Sequence, residues 1–221
     1  TEAGRNNRFS TTAAWFVLGA VVGGACLGLV AGLGAAGLDA AGLTLAQRAG
    51  IGAALAVITA GIDLGMFGIE LPIFKRQVND AWLRNYRSWV YGSGFGWQIG
   101  FGVATYIMTA GILLMIALAV LTVSLPQALG ICVTFGAVRG SAVYIGRNAT
   151  STAALRQVHA RLERLGPASR IGALGAQVLA AVGLAALSGG VVAAFAVAAL
   201  IGAVVAIQGR GRIRVSGAAH A

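Results

Sequence analysis

The chain has 221 residues, 58% of them hydrophobic and only 10% charged, with a mean hydropathy of +0.84. A water-facing domain carries about a quarter charged residues, so a soluble globular protein is excluded, and the apolar runs do not alternate with polar residues as an outer-membrane barrel would require. The net charge of +10 would point to nucleic acid in a soluble protein, but here the basic residues other than Arg139 sit at the edges of apolar runs, so a nucleic-acid partner is not expected.

Several apolar runs exceed about 18 residues, the length that reads as a membrane crossing. The fold class expected is all-α, a single polytopic membrane domain of six transmembrane helices. In chain order the spans fall at roughly 12–38, 46–69, 97–123, 125–145, 171–187 and 190–207. The third and fourth are separated at Ser124-Leu125-Pro126, where proline opens a helix. The last apolar run, Ile171–Ile207, would be about 55 Å long as one helix, too long for a single crossing of a roughly 30 Å core. Ser188-Gly189-Gly190 at its middle therefore reads as a hairpin between spans five and six. The first run is longer than the roughly 7–15 residues of a signal-peptide core, so it reads as a retained span.

Charge sorts the loops. Arg5 and Arg8 precede span one; Lys75, Arg76, Arg84 and Arg87 lie between spans two and three; Arg147, Arg156, Arg161, Arg164 and Arg170 lie between four and five; Arg210, Arg212 and Arg214 follow span six. The other connections hold only Arg48. With six spans every basic segment lies on one side, the positive-inside pattern, which predicts a bacterial cytoplasmic (inner) membrane protein with both termini cytoplasmic.

The stretch Phe74–Tyr91 places Phe74, Val78, Trp82, Tyr86 and Trp89 at helical spacing, with Lys75, Arg76, Arg84 and Arg87 elsewhere around the helix. It predicts an amphipathic helix on the lipid surface, aromatics at headgroup depth and basic side chains toward phosphate and water. The glycines that follow are not a dinucleotide fingerprint, because no strand precedes them. Gly96 and Gly100 form a GxxxG step, and Gly24, Gly28 and Gly32 form a small-residue ladder in span one, both expected at helix–helix contacts. A second amphipathic helix is expected over 152–165, ended by Gly166-Pro167. His159 within it has no second ligand nearby, and no metal site or cofactor is expected.

Two ionisable residues fall inside spans. Asp63 in span two and Arg139 in span four have similar expected depths and are candidates for an in-membrane charge pair; the alternative is that each reaches toward the headgroups alone. The two cysteines, Cys26 in span one and Cys132 in span four, also fall at comparable depth. They are either small buried residues or a redox pair. One Cys in each of spans one and four, within "GGACLGL" and "LGICVTF", resembles the transmembrane thiol–disulfide carriers of the CcdA/DsbD type, although those proteins set proline beside the Cys and this chain does not. That resemblance implies an electron carrier with Cys26 and Cys132 as its catalytic pair and a thioredoxin-like partner. Arg76–Thr105 is similar to a segment of MauE-like multi-pass proteins, a likeness that implies no activity. Three functions stay open on this basis: a thiol–disulfide carrier, a small-solute or ion transporter using Asp63 and Arg139, and a subunit or assembly factor of a larger membrane complex. The Ala- and Gly-rich helices also suit a homo-oligomer or other membrane subunits.

Overall fold

The computed structural model describes residues 8–69, 71, 85–105 and 107–218. The described residues form six α-helices and no strand: α1 (Phe9–Asp39), α2 (Leu45–Asp63), α3 (Ser88–Phe101), α4 (Gly111–Leu121), α5 (Leu125–Ser141) and α6 (Thr152–Ala218), with a 3₁₀ turn, Ala142–Gly146, after α5. Among the described residues four segments are long and apolar enough to cross a membrane: Phe9–Asp39, Leu45–Asp63, Leu125–Gly146 and Thr152–Ala199. Large apolar side chains such as Leu29, Leu33, Val138, Leu179 and Val192 are exposed on their outer faces, as lipid contact requires and water does not favour. This is a membrane-embedded helical protein.

Local chemistry sets several helix ends. The Thr44 hydroxyl accepts from Gln47 N at 3.2 Å while the Gln47 side chain accepts from Thr44 N at 2.9 Å, a reciprocal capping box that starts α2. Pro126 lies in the first turn of α5, where its missing N–H costs no hydrogen bond. Between α4 and α5 the chain turns through Val123 at φ 54°, a left-handed conformation that a β-branched residue rarely adopts.

Two packing groups result. In the first, α1 lies between α3 and α5, and the contacts are backbone to backbone. A Cβ on Gly96 or Gly100 would overlap the carbonyls of Phe16 and Ala20, and one on Gly24 would overlap the Cys132 carbonyl. Gly28 meets Leu129 and Gly32 meets Leu125, so the ladder of span one runs along α5, while Gly19 and Gly23 face α3 at Ser93 and Trp97. In the second group α2 packs against α6 and α4 around Ala56, Leu114 and Ala181. Helix α4 joins the groups, since Ala119 is buried with Leu27, Ala31, Ala128 and Cys132.

The hairpin expected near residue 189 takes the form of one residue, Gly190, at φ 74° and ψ −166° inside α6. Val197 packs against the same cluster as Ala181, yet along a straight helix the two would stand about 24 Å apart. The chain therefore turns back at Gly190, a position open to a positive φ because glycine has no Cβ.

Three sequence expectations are corrected. Span two ends as a helix at Asp63, and Leu64–Phe67 are turn. The amphipathic segment after residue 151 does not stop at Gly166-Pro167; the helix continues through Pro167 into the apolar limb, since a proline removes one hydrogen bond and kinks a helix without always ending it. The helix expected over Phe74–Tyr91 is not continuous at its end: Arg87 is extended, at φ −68° and ψ 156°, and caps a new helix from Ser88. Tyr86 and Trp89 are exposed at 52% and 51%, and the Trp89 ring lies 6.2 Å from that of Trp15 on α1. Lys75, Arg76, Trp82 and Arg84 lie outside the described residues.

Candidate functional site

The largest departure from the sequence reading is in the third apolar run. It is not one helix. Helix α3 ends at Phe101, Gly102 takes φ 77°, and α4 begins only at Gly111. Non-helical backbone inside a membrane protein persists only where protein groups or water satisfy its hydrogen bonds, and here protein side chains satisfy part of them. Asp63, the last residue of α2, accepts from Ala110 N at 2.8 Å and from the Thr109 hydroxyl, and from Gln177 Nε2 of α6 at 2.6 Å. The Thr109 hydroxyl in turn accepts from Gly111 N at 3.1 Å. The carboxylate thus caps the start of α4, where the helix dipole favours negative charge.

The same helix is held at its other end by the same neighbour. Arg48, near the start of α2, donates from one guanidinium nitrogen to the carbonyls of Leu121 and Thr122 at 3.3 and 3.1 Å. Antiparallel α2 therefore places a carboxylate at the N-terminus of α4 and a guanidinium at its C-terminus, each complementing the dipole. This 11-residue helix, about 17 Å long, is clamped at both ends.

The break lies near the mid-height of the first group of helices. Gly23, midway along α1, faces Trp97 and Phe101 of α3, and Gly102 faces Phe135 of α5 and Ile112 in the first turn of α4. Two buried oxygens at this place have no hydrogen-bond partner: Oε1 of Gln177, a residue 2% exposed, and Oγ1 of Thr105, 8% exposed.

The in-membrane pair expected from sequence does not form. Both Asp63 oxygens are committed to Thr109, Ala110 and Gln177, whereas the Arg139 guanidinium carbon sits 5.3 Å from the Phe135 ring centre and one guanidinium nitrogen is buried without a partner. Similar depth along two helices does not make two residues face each other. Alanine substitutions of Asp63 and Arg139 should accordingly destabilise additively, within about 0.5 kcal/mol, in a double-mutant cycle on the detergent-solubilised protein; a coupling of several kcal/mol would show that the two charges interact.

The cysteines are both free, Cys132 fully buried and Cys26 partly so. Helices α1 and α5 do cross beside Cys132, but it is Gly24 that meets the Cys132 backbone. Two residues along a helix is about 200° around it, so Cys26 leaves α1 on the side away from Gly24. Gly130, two residues before Cys132, has nothing within 4 Å of its Cβ position, so α5 makes no close backbone contact there.

Thr109, Gln177, Thr105 and Arg48 carry the site and were not singled out by the sequence. Gln177 had a usable signal, an amide in the middle of a run of Ala, Gly and Leu, where a polar side chain has to find a partner. Thr105 and Thr109 had none, because nothing in an apolar run announces that its helix is interrupted.

A helical membrane protein in which the chain between two short helices is met by polar side chains from two other helices is the class these observations define. Over 124 residues the chain is 29% identical to the methylamine utilization protein MauF of Methylorubrum extorquens, a likeness covering 56% of this chain and 42% of that protein. The chain thus spans less than half the length of the curated relative it matches. No protein-family model matches the chain. No solved structure matches it.

Proposed function

We propose that the protein is a six-span carrier of a small solute or ion in the bacterial inner membrane, both termini cytoplasmic, and that its working site is the break between α3 and α4. The observation that carries this reading is the Asp63 carboxylate at the start of the half-helix α4, bonded to the Gln177 amide whose buried oxygen lacks a partner. An ionisable group within a membrane-embedded body is expensive and marks a pathway more often than a scaffold, and discontinuous helices near the bilayer midplane are the usual place for a carrier's binding site. Arg139, without an ion-pair partner among the described residues and placed over the Phe135 ring, belongs to this reading only as a neighbour. The likeness to MauF fits a membrane component serving small-amine metabolism.

The test is accessibility of the break. Thr105→Cys in a Cys26→Ala, Cys132→Ala background should react with a charged, membrane-impermeant thiol reagent from at least one side, in right-side-out or inverted vesicles. No reaction from either side would mean a sealed structural knot, and the protein would then be a subunit or assembly factor of a larger membrane complex. The thiol–disulfide reading keeps one supporting observation, the crossing of α1 and α5 beside Cys132. It requires the native pair to be oxidisable to a bridge, which needs Cα atoms within about 7 Å. Oxidation of the wild type should leave both thiols free to alkylation, and protection of both would favour electron transfer over solute transport.

A further inference from the structure

The chemistry of the break narrows what it can hold. Its side-chain donors are all hard oxygens or their carriers: one carboxylate, two hydroxyls and one amide. Among the described residues no three His, Cys, Asp or Glu come together, so nothing at this place suits zinc, copper or iron, which seek nitrogen and sulfur. Calcium and magnesium generally draw on several carboxylates or on phosphate; Asp63 is the one carboxylate bonded within this cluster, and a divalent ion there would leave a positive charge uncompensated in a low-dielectric setting.

The unpartnered amide oxygen points the same way. Gln177 is almost wholly buried, its Nε2 already on Asp63 and 3.5 Å from the Thr109 hydroxyl, while its Oε1 has no donor. A half-turn of that amide exchanges Nε2 for Oε1 with no change of shape. The amide oxygen would then take the place of Nε2 beside the Asp63 carboxylate and the Thr109 hydroxyl, a grouping of oxygens that a cation among them stabilises. Resting on the carrier reading above, we infer that the break binds a single monovalent metal cation of the sodium type, held by the Asp63 carboxylate, the Thr109 hydroxyl and the Gln177 amide oxygen. The empty site is closed by the Gln177 and Thr109 donors to Asp63; the loaded site turns the same two side chains into acceptors. One cation and one carboxylate balance, so the loaded break carries no net charge through the apolar body.

The experiment is thermal unfolding of the purified protein in detergent at constant ionic strength, in sodium, lithium, potassium or choline chloride, with calcium chloride as the divalent arm. Sodium should raise Tm over choline by roughly 5 °C or more at saturation, with a hyperbolic dependence on concentration. Asp63→Asn should remove the response. Gln177→Leu, which leaves Asp63 its bonds to Thr109 and Ala110, should weaken it at least tenfold in apparent Kd and serves if the first variant does not fold. Equal Tm in all monovalent salts, a larger shift with calcium than with sodium, or a sodium response retained by Asp63→Asn would overturn the inference. Failure here combined with labelling at Thr105 would leave the carrier reading standing with a different cargo; failure of both would remove the carrier as well.

Discussion

Replacing Gly100 with valine should abolish the stable folded protein, the largest single-residue effect expected in this chain. A Cβ at Gly100 would run into the Ala20 backbone at its carbonyl, and the same carbonyl faces Gly136 from α5. Ala20 is therefore gripped from two sides by helices that have no side chain at the contact. Backbone cannot move aside as a flexible side chain can, so α3 would have to retreat from α1 along its whole length. Overpacking of an ordinary core costs about 1–3 kcal/mol; with two rigid helices forced apart the loss should exceed roughly 3 kcal/mol, and even Gly100→Ala should be severely destabilised. The contrast is Gly130→Ala on α5, whose Cβ position meets nothing within 4 Å. That change should be neutral or stabilise by up to about 1 kcal/mol through helix propensity. Size-exclusion profiles and thermal unfolding in detergent measure both. Equal behaviour of the two variants would show that the α1–α3 contact is not as close as described.

Asp63→Ala should be nearly as damaging. It leaves the Ala110 N–H, the Thr109 hydroxyl and the Gln177 amide without their acceptor at once. Each unsatisfied buried polar group costs about 1–3 kcal/mol, and loss of a helix cap about 1 kcal/mol. Relaxation and water entry reduce the sum, so a loss of about 3 kcal/mol is expected. Asp63→Asn keeps the shape and one carbonyl acceptor and should lose less than half of that. A second consequence separates this role from simple packing: loss of the clamp should raise hydrogen exchange at the first turn of α4 selectively, with α1, α3 and α5 still protected. Uniform loss of protection across all helices would show instead that Asp63 holds the whole fold and not one half-helix.

Much of the architecture is legible in the chain because it depends on local composition and length. Apolar runs that outlast a bilayer's thickness identify α1, α2, α5 and the apolar part of α6 as membrane segments without any tertiary information. Pro126 after Ser124 marks the start of α5, and Gly190 marks the turn within α6, because proline and glycine act through their own backbone chemistry. The cluster of small residues at Gly24, Gly28, Gly32, Gly96 and Gly100 is equally visible, since a backbone approaches another only where Cβ atoms are missing.

Pairing across helices was not legible. One sequence period gives the face on which a residue lies but not the helix that face meets, and depth alone offered Arg139 as the partner of Asp63. The tertiary structure gave Asp63 to the start of α4 and left Arg139 on Phe135. The break itself was hidden for the same reason. Val103 to Ala110 is apolar enough to read as the middle of a span, and nothing in it announces that the Ala110 N–H finds its acceptor in Asp63, distant in sequence. The sequence by itself determined that this protein lives in a membrane, how many apolar runs it has and where its backbones can touch. The choice of which polar groups meet inside the apolar body belonged to the tertiary structure, because a buried carboxylate takes whichever donors the packed helices bring to it.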